Sequence, residues 1–263
     1  MNTTFLGLPA GLTATLVVII AIAVLVAAAE VFASIANTIV SFRYIRYHFN
    51  KNTAKMNGEE AANYLLETLG MKDSVKVEKA NFFRALIFGN CYSARKKTVF
   101  LMRHIMRRNS LVAIATASRL VALAVQDKNG DEKFKRKVRM EKVTWFAPVG
   151  FIPLVLVGLV VDLIMTNTVG IVTLVSAVIG FLYFLIAVIM LGLTIPVDKK
   201  ANADALVLLT QTGVVSETEQ KKVKKLFDSM ILAEIANFIL AVIYLIKMFF
   251  KILLAILKIS SKK

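Results

Sequence analysis

Cysteine and histidine are nearly missing from this 263-residue chain: Cys91, His48 and His104 are the full set. A single thiol excludes an intrachain disulfide and leaves the redox compartment open. Two imidazoles leave no support for a Ser/His/Asp or Cys/His arrangement. No Gly-rich phosphate loop, internal repeat or low-complexity tract is present. His48 lies just past the first apolar run, where an interfacial role is expected. His104 sits among Arg103, Arg107 and Arg108, which oppose a dication, so a Cys91/His104 metal site is disfavoured. Asp127-Lys128-Asn129-Gly130-Asp131 looks like the start of a calcium loop. Its glycine falls at the fourth position instead of the sixth, and Val138 stands where the closing glutamate belongs, so it is rejected.

Charge is also absent from the first 29 residues, and Leu12 to Ala29 is an almost unbroken apolar run. Ala27-Ala28-Ala29 resembles a signal-cleavage site, but no Lys or Arg precedes Arg43, so an uncleaved membrane helix is expected. Glu30, Ser34, Asn37 and Ser41 recur at helical spacing, which carries the helix onward with a polar stripe turned from lipid.

What is present is apolar length. Hydrophobic residues make up 57% of the chain and mean hydropathy is +0.69. The apolar residues lie in blocks that approach the roughly 20 residues needed to span a bilayer. A second block runs from Trp145 to Met165 and a third from Val169 to Val197. The short break Thr166-Asn167-Thr168 between them predicts a tight membrane hairpin. Pro148 and Pro153 sit in the first turns of the second helix, where a missing N–H costs least. Asp162, near its far end, reads as an interfacial or helix-paired carboxylate in preference to a proton relay. A fourth block starts near Met230 with Glu234 and Asn237 as its early polar residues. Lys247, Lys251 and Lys258 return on one face, a pattern that fits a snorkelling end or a surface helix.

The net charge of +16 in such a chain is read as positive-inside bias and attraction to lipid, and nucleic-acid binding is set aside. Residues 42–144 hold 22 Lys/Arg against 9 Asp/Glu, while the N-terminus and the hairpin tip have none. The expectation is a multi-pass cell-membrane protein with its N-terminus outside and its main loop cytoplasmic. Five regions follow: an N-terminal membrane helix (1–42), a basic α+β domain (43–144), a transmembrane hairpin (145–197), a cytoplasmic helical segment (198–228) and a C-terminal membrane or interfacial helix (229–263).

Within the inserted domain, Asn57 followed by Glu60 makes a capping box, and the helix it opens ends near Gly70. Ser74 to Lys79 alternates as a short strand, and Thr98 to Met102 is β-branched and aromatic, a second strand. Ser110 to Gln126 predicts an unusually apolar helix whose one charge is Arg119. Gly130 and its neighbours end it, and a basic run from Lys133 to Lys142 follows. The fold class is mainly α, a polytopic helical membrane protein of three or four membrane helices with a small inserted α+β domain.

This order of parts resembles the membrane-bound neutral zinc metallopeptidases of bacteria, the YugP type. The resemblance rests on Phe49-Asn50-Lys51, Asn57-Gly58-Glu59-Glu60-Ala61, the Lys97 to Val99 strand, the apolar helix ending in Gln126 and Ile195-Pro196-Val197. Ala205 to Leu209 through Gly213, then Ser216 to Glu219 and a last apolar helix, complete it. In that family the apolar helix carries His-Glu-x-Gly-His followed by Ala-Ile-Gln. Two histidines four residues apart share one helical face and a metal, and the glutamate between them polarises water.

Here the stretch reads Arg119-Leu120-Val121-Ala122-Leu123-Ala124-Val125-Gln126. Arg119 and Leu123 take the ligand positions and Leu120 that of the general base. A guanidinium and leucines have no lone pair for zinc and move no proton. The family's Glu-Phe-Asp after the hairpin becomes Asp198-Lys199-Lys200, and its Asp-His-Tyr-Asp-Pro becomes Asn90-Cys91-Tyr92-Ser93-Ala94. The resemblance implies the fold. The degenerate site positions are Arg119, Leu120, Leu123 and Asp198, with no catalytic, metal or cofactor residues. A buried arginine needs an anion, and Asp198 and Glu234 are the candidates.

The reading is therefore a catalytically inactive relative, a pseudoenzyme acting as a structural or regulatory membrane subunit. Its partners are the bilayer and another membrane protein or an active relative. Two competitors stand beside it: an active metallopeptidase with atypical ligands, and a membrane scaffold with a basic lipid-facing surface.

Overall fold

A computed structural model of the chain describes residues 10–144, 147–166 and 170–260. Nine helices and three short strands occur among them, in the order α1 (Ala10–His48), α2 (Gly58–Thr68), β1 (Lys76–Lys79), α3 (Phe82–Phe88), β2 (Cys91–Ser93), β3 (Thr98–Leu101), α4 (Arg103–Met106), α5 (Leu111–Lys128), α6 (Glu132–Thr144), α7 (Ala147–Thr166), α8 (Ile171–Gln211) and α9 (Glu217–Ser260). The mainly helical class with a small α+β part is thus what the chain adopts. Among the described residues, three helical stretches are long and apolar enough to cross a membrane: Leu16–His48, Ile171–Gln211 and Glu217–Leu253, with Leu154–Met165 a shorter apolar helix. The expected hairpin start at Trp145 and the tip residues Asn167, Thr168 and Val169 lie outside the described residues.

The chain divides into two compact units. One comprises Met1–Ala36, Val143–Ile189 and Ile235–Lys263; the other comprises Asn37–Lys142 and Met190–Glu234. α1, α8 and α9 each supply residues to both.

In the first unit, α1 continues through Glu30 as its polar spacing requires. Its buried face is a run of small side chains, Val26, Ala29, Ala33 and Ala36. Glu30 accepts a hydrogen bond from the Tyr244 hydroxyl of α9, but Glu30 and Ser34 are both exposed, so the polar stripe expected to turn from lipid lies off the buried face of α1. Asp162 is 3% exposed and caps the start of α8. Its carboxylate accepts from the Gly170 N–H at 2.9 Å, the Thr173 N–H at 2.7 Å and the Thr173 hydroxyl at 2.6 Å. The orphan amides of a helix start must be satisfied, and in hydrocarbon only protein can do it. Gly158 of α7 is buried because a Cβ there would lie 2.4 Å from the Ser176 hydroxyl of α8. Small residues bring these two backbones together.

The second unit holds the hydrophobic core, built around α5. Thirteen of its 18 residues are buried, so it is apolar nearly all round, as a central helix must be. Ser110 caps it, accepting from the Ala113 N–H at 3.2 Å. α2 packs on it with the complete capping box expected: Glu60 N–H to Asn57 and Asn57 N–H to Glu60, each 2.9 Å. Gly70 and Gly130, at φ +60 and +67, take the left-handed conformation that ends α2 and α5. Ser216 and Glu219 exchange the same reciprocal bonds at the start of α9, and the Glu219 carboxylate also accepts from the Thr53 N–H at 2.8 Å.

The sheet has the order β1-β3-β2. β1 runs parallel to β3, with Lys76 opposite Thr98 and Lys79 opposite Leu101; β2 is antiparallel, with Cys91 opposite Phe100. β3 is wholly buried. Two expected strands are present, each shorter than its apolar pattern, while β2, α3 and α4 were not anticipated. The basic run from Lys133 to Lys142 is helical, within α6. α8 also differs from its composition: it does not stop at Val197 but runs on through Pro196 to Gln211.

Candidate functional site

α5 carries one charge into this core. The Arg119 side chain is 19% exposed, and its Nη2 lies 2.9 Å from Asp198 Oδ2 and 3.1 Å from Glu234 Oε1. Lys137 of α6 reaches the other Asp198 oxygen at 3.3 Å, and the Asp198 side chain is 7% exposed. Four helices therefore meet through two cations and two carboxylates, a balanced set that low-polarity surroundings demand. The balance is not complete at every atom. Arg119 Nε and Glu234 Oε2 have no hydrogen-bond partner among the described residues, and Arg119 Nη1 points at the Met230 sulfur, 3.8 Å away.

Beside this cluster is a cavity of about 270 Å³ whose walls include Arg119, Leu120, Leu123, Lys137, Asp198 and Cys91. All four degenerate positions read from the sequence converge here, though Leu120 and Leu123 are only 4% and 7% exposed. Tyr92, another wall residue, donates to Asp127 Oδ2 at 2.7 Å, and Lys97 reaches the same oxygen at 2.6 Å. Burial, then the hydrogen bond and negative charge of Asp127, push the Tyr92 phenol well above the usual tyrosine range. Asp131 accepts from Lys200 at 2.6 Å and from the Lys133 and Phe134 amides at the start of α6. Those bonds hold its carboxyl below the usual carboxylate range. Both aspartates of the loop that resembles a calcium site are thus committed to protein partners.

The two histidines come together elsewhere in the same unit. Their rings are 5.7 Å apart; His48 Nε2 lies 2.8 Å from Arg108 Nη1, and His104 Nε2 lies 3.3 Å from the Tyr44 hydroxyl. Cys91 belongs to the Arg119 cavity, whose lining does not include His104.

A family model described as "putative neutral zinc metallopeptidase" matches residues 17–253, from within α1 to within α9. The chain belongs to this family. Comparisons with curated proteins and with solved structures give no match. As a member of the zinc metallopeptidase family, the chain should present a zinc-ligand set, and the donors at the Arg119 cavity do not fit that ion. Two of the groups at the centre are aliphatic and two are cations, and both carboxylates are already held by Arg119. Among the described residues, no group of three or more His, Cys, Asp or Glu side chains could hold a metal ion. Asn90 and Tyr92, quoted from sequence in the altered Asn90 to Ala94 stretch, line this cavity, whereas Lys137 was not singled out. Lys137 is one lysine in a basic run, and only its reach to a buried carboxylate distinguishes it.

Proposed function

We propose that this member of the neutral zinc metallopeptidase family is catalytically inactive and serves as a structural or regulatory subunit in the membrane. The observation that carries the reading is the ion-paired Arg119. A permanently charged guanidinium sits on the apolar helix, with Asp198 and Glu234 within ion-pair distance and Leu120 and Leu123 lining the same cavity. A dication placed there would meet Arg119 and Lys137 at close range and would compete with both for Asp198. The ion-pair cluster joins α5, α6, α8 and α9, which gives it a structural role of its own. On this reading Arg119, Leu120, Leu123 and Asp198 stand at the former zinc-site positions, and the partner is another membrane protein or an active relative.

Metal analysis of the full chain, purified in detergent from zinc-supplied cells, tests the proposal. The expected result is substoichiometric zinc, no peptide hydrolysis, and a thermal midpoint that chelators leave unchanged. Stoichiometric zinc whose removal abolishes peptide cleavage overturns it.

A further inference from the structure

α3 is assembled the wrong way round for water. Asn81 caps it, accepting from the Arg84 N–H at 2.9 Å, and Gly89 ends it at φ +60. None of its seven residues is buried: Phe82, Phe83 and Leu86 are 73–75% exposed, Ile87 59% and Phe88 49%. Its one charged side chain, Arg84, turns inward, with the guanidinium carbon 3.8 Å from the centre of the Phe100 ring on β3. Phe100 is 5% exposed. The cation therefore packs on protein, while four large apolar side chains project outward. A helix at a water boundary arranges the same residues in the opposite sense.

We propose that α3 is an interfacial anchor whose Phe82, Phe83, Leu86 and Ile87 insert into the lipid bilayer beside the Arg119 cavity. Three observations name lipid as the occupant. Phe88, at the end of α3, lines the same cavity as Asp198 and Met230. Met230 opens the apolar block of α9, and Asp198 directly follows the apolar run of α8, so both residues mark the level at which long apolar helices pass into a polar phase. Apart from Arg84, residues 76–108 also hold eight Lys/Arg against Glu78 alone; with Lys97 committed to Asp127, the other seven give a basic belt that suits anionic headgroups around an apolar insertion. The inference is independent of whether the chain is catalytic, since it uses none of the groups at Arg119.

The test uses the full chain in vesicles of phosphatidylcholine and phosphatidylglycerol. Trp145, the sole tryptophan, is replaced in a Trp145→Phe background, and a new probe is introduced as Leu86→Trp or, in a second protein, Ile87→Trp. Both positions are exposed, so either probe fits the fold. Glu67→Trp on α2, where the native side chain is 65% exposed, is the aqueous reference. Fluorescence at the α3 probes should be quenched most by lipid brominated about 5–10 Å below the headgroup boundary. Iodide should quench them several-fold less than the Glu67→Trp reference. Iodide quenching equal to the reference overturns the proposal. So does shielding from both iodide and bromolipid, which would mean that protein, a second copy included, covers α3.

Discussion

At the residue scale the decisive group is Arg119, and its energetics are set by burial. A charge pair removed from water contributes little beyond its own desolvation, yet taking away one member leaves the other uncompensated. Arg119→Met removes the cation within ion-pair distance of Glu234 and leaves Asp198 with Lys137 alone. The expected loss is about 3–5 kcal/mol of unfolding free energy, read from denaturant unfolding of the detergent-solubilised protein. The triple change Arg119→Met, Asp198→Leu and Glu234→Leu should recover most of it, because apolar replacement of a whole buried network is close to neutral. Additive losses would show that the three side chains do not act as a unit. Sequence pointed to both carboxylates, since a lone arginine on an apolar helix demands an anion and these flank the apolar blocks. It could not indicate that one Nη atom serves both, nor that Lys137 shares Asp198.

At the element scale, the parts that were legible are those with a local chemical signal. The reciprocal Asn57/Glu60 bonds, the Ser110 cap and the left-handed glycines are dictated by residues within a few positions of one another. α3, β2 and α4 escaped because three to seven residues are too few to show a period, and an apolar septapeptide gives no hint that it faces outward. The pairing of α7 with α8 follows from the short break between their apolar blocks, but the close approach of Gly158 to Ser176 does not, since one glycine in an apolar run has no signature. It nevertheless yields a sharp expectation. Gly158→Leu places side-chain atoms where the Ser176 hydroxyl lies 2.4 Å from a Cβ, and overpacking of this kind costs about 1–3 kcal/mol. Gly158→Ala should be milder, and Ser176→Gly should recover part of the midpoint that Gly158→Ala loses, since the Val172 carbonyl oxygen stays 3.0 Å from that Cβ. Thermal unfolding in detergent measures all three; a Gly158→Leu protein as stable as wild type would refute this packing.

At the scale of the whole molecule, side-chain composition and backbone continuity mark different boundaries. Hydropathy changes at Val197, but α8 continues to Gln211, and α9 starts at Glu217 well before its apolar block. A helix satisfies its own peptide groups in either solvent, so only its side chains record where lipid ends. The charges beside those blocks support a proposed orientation. Arg43, Arg46 and Lys51 follow the first apolar run, and Arg136, Lys137, Arg139 and Lys142 precede the second, whereas residues 1–29 and the 166–168 tip carry no charge. Basic residues close to membrane ends are retained on the cytoplasmic side. We therefore propose that both uncharged segments are outside. In a Cys91→Ser background, single cysteines at Thr3→Cys and Asn167→Cys should react with an impermeant maleimide in whole cells, and Lys96→Cys only after permeabilisation. Protection of both Thr3→Cys and Asn167→Cys would invert the protein and would move α3, with its lysine and arginine belt, to the leaflet opposite the one its charge favours.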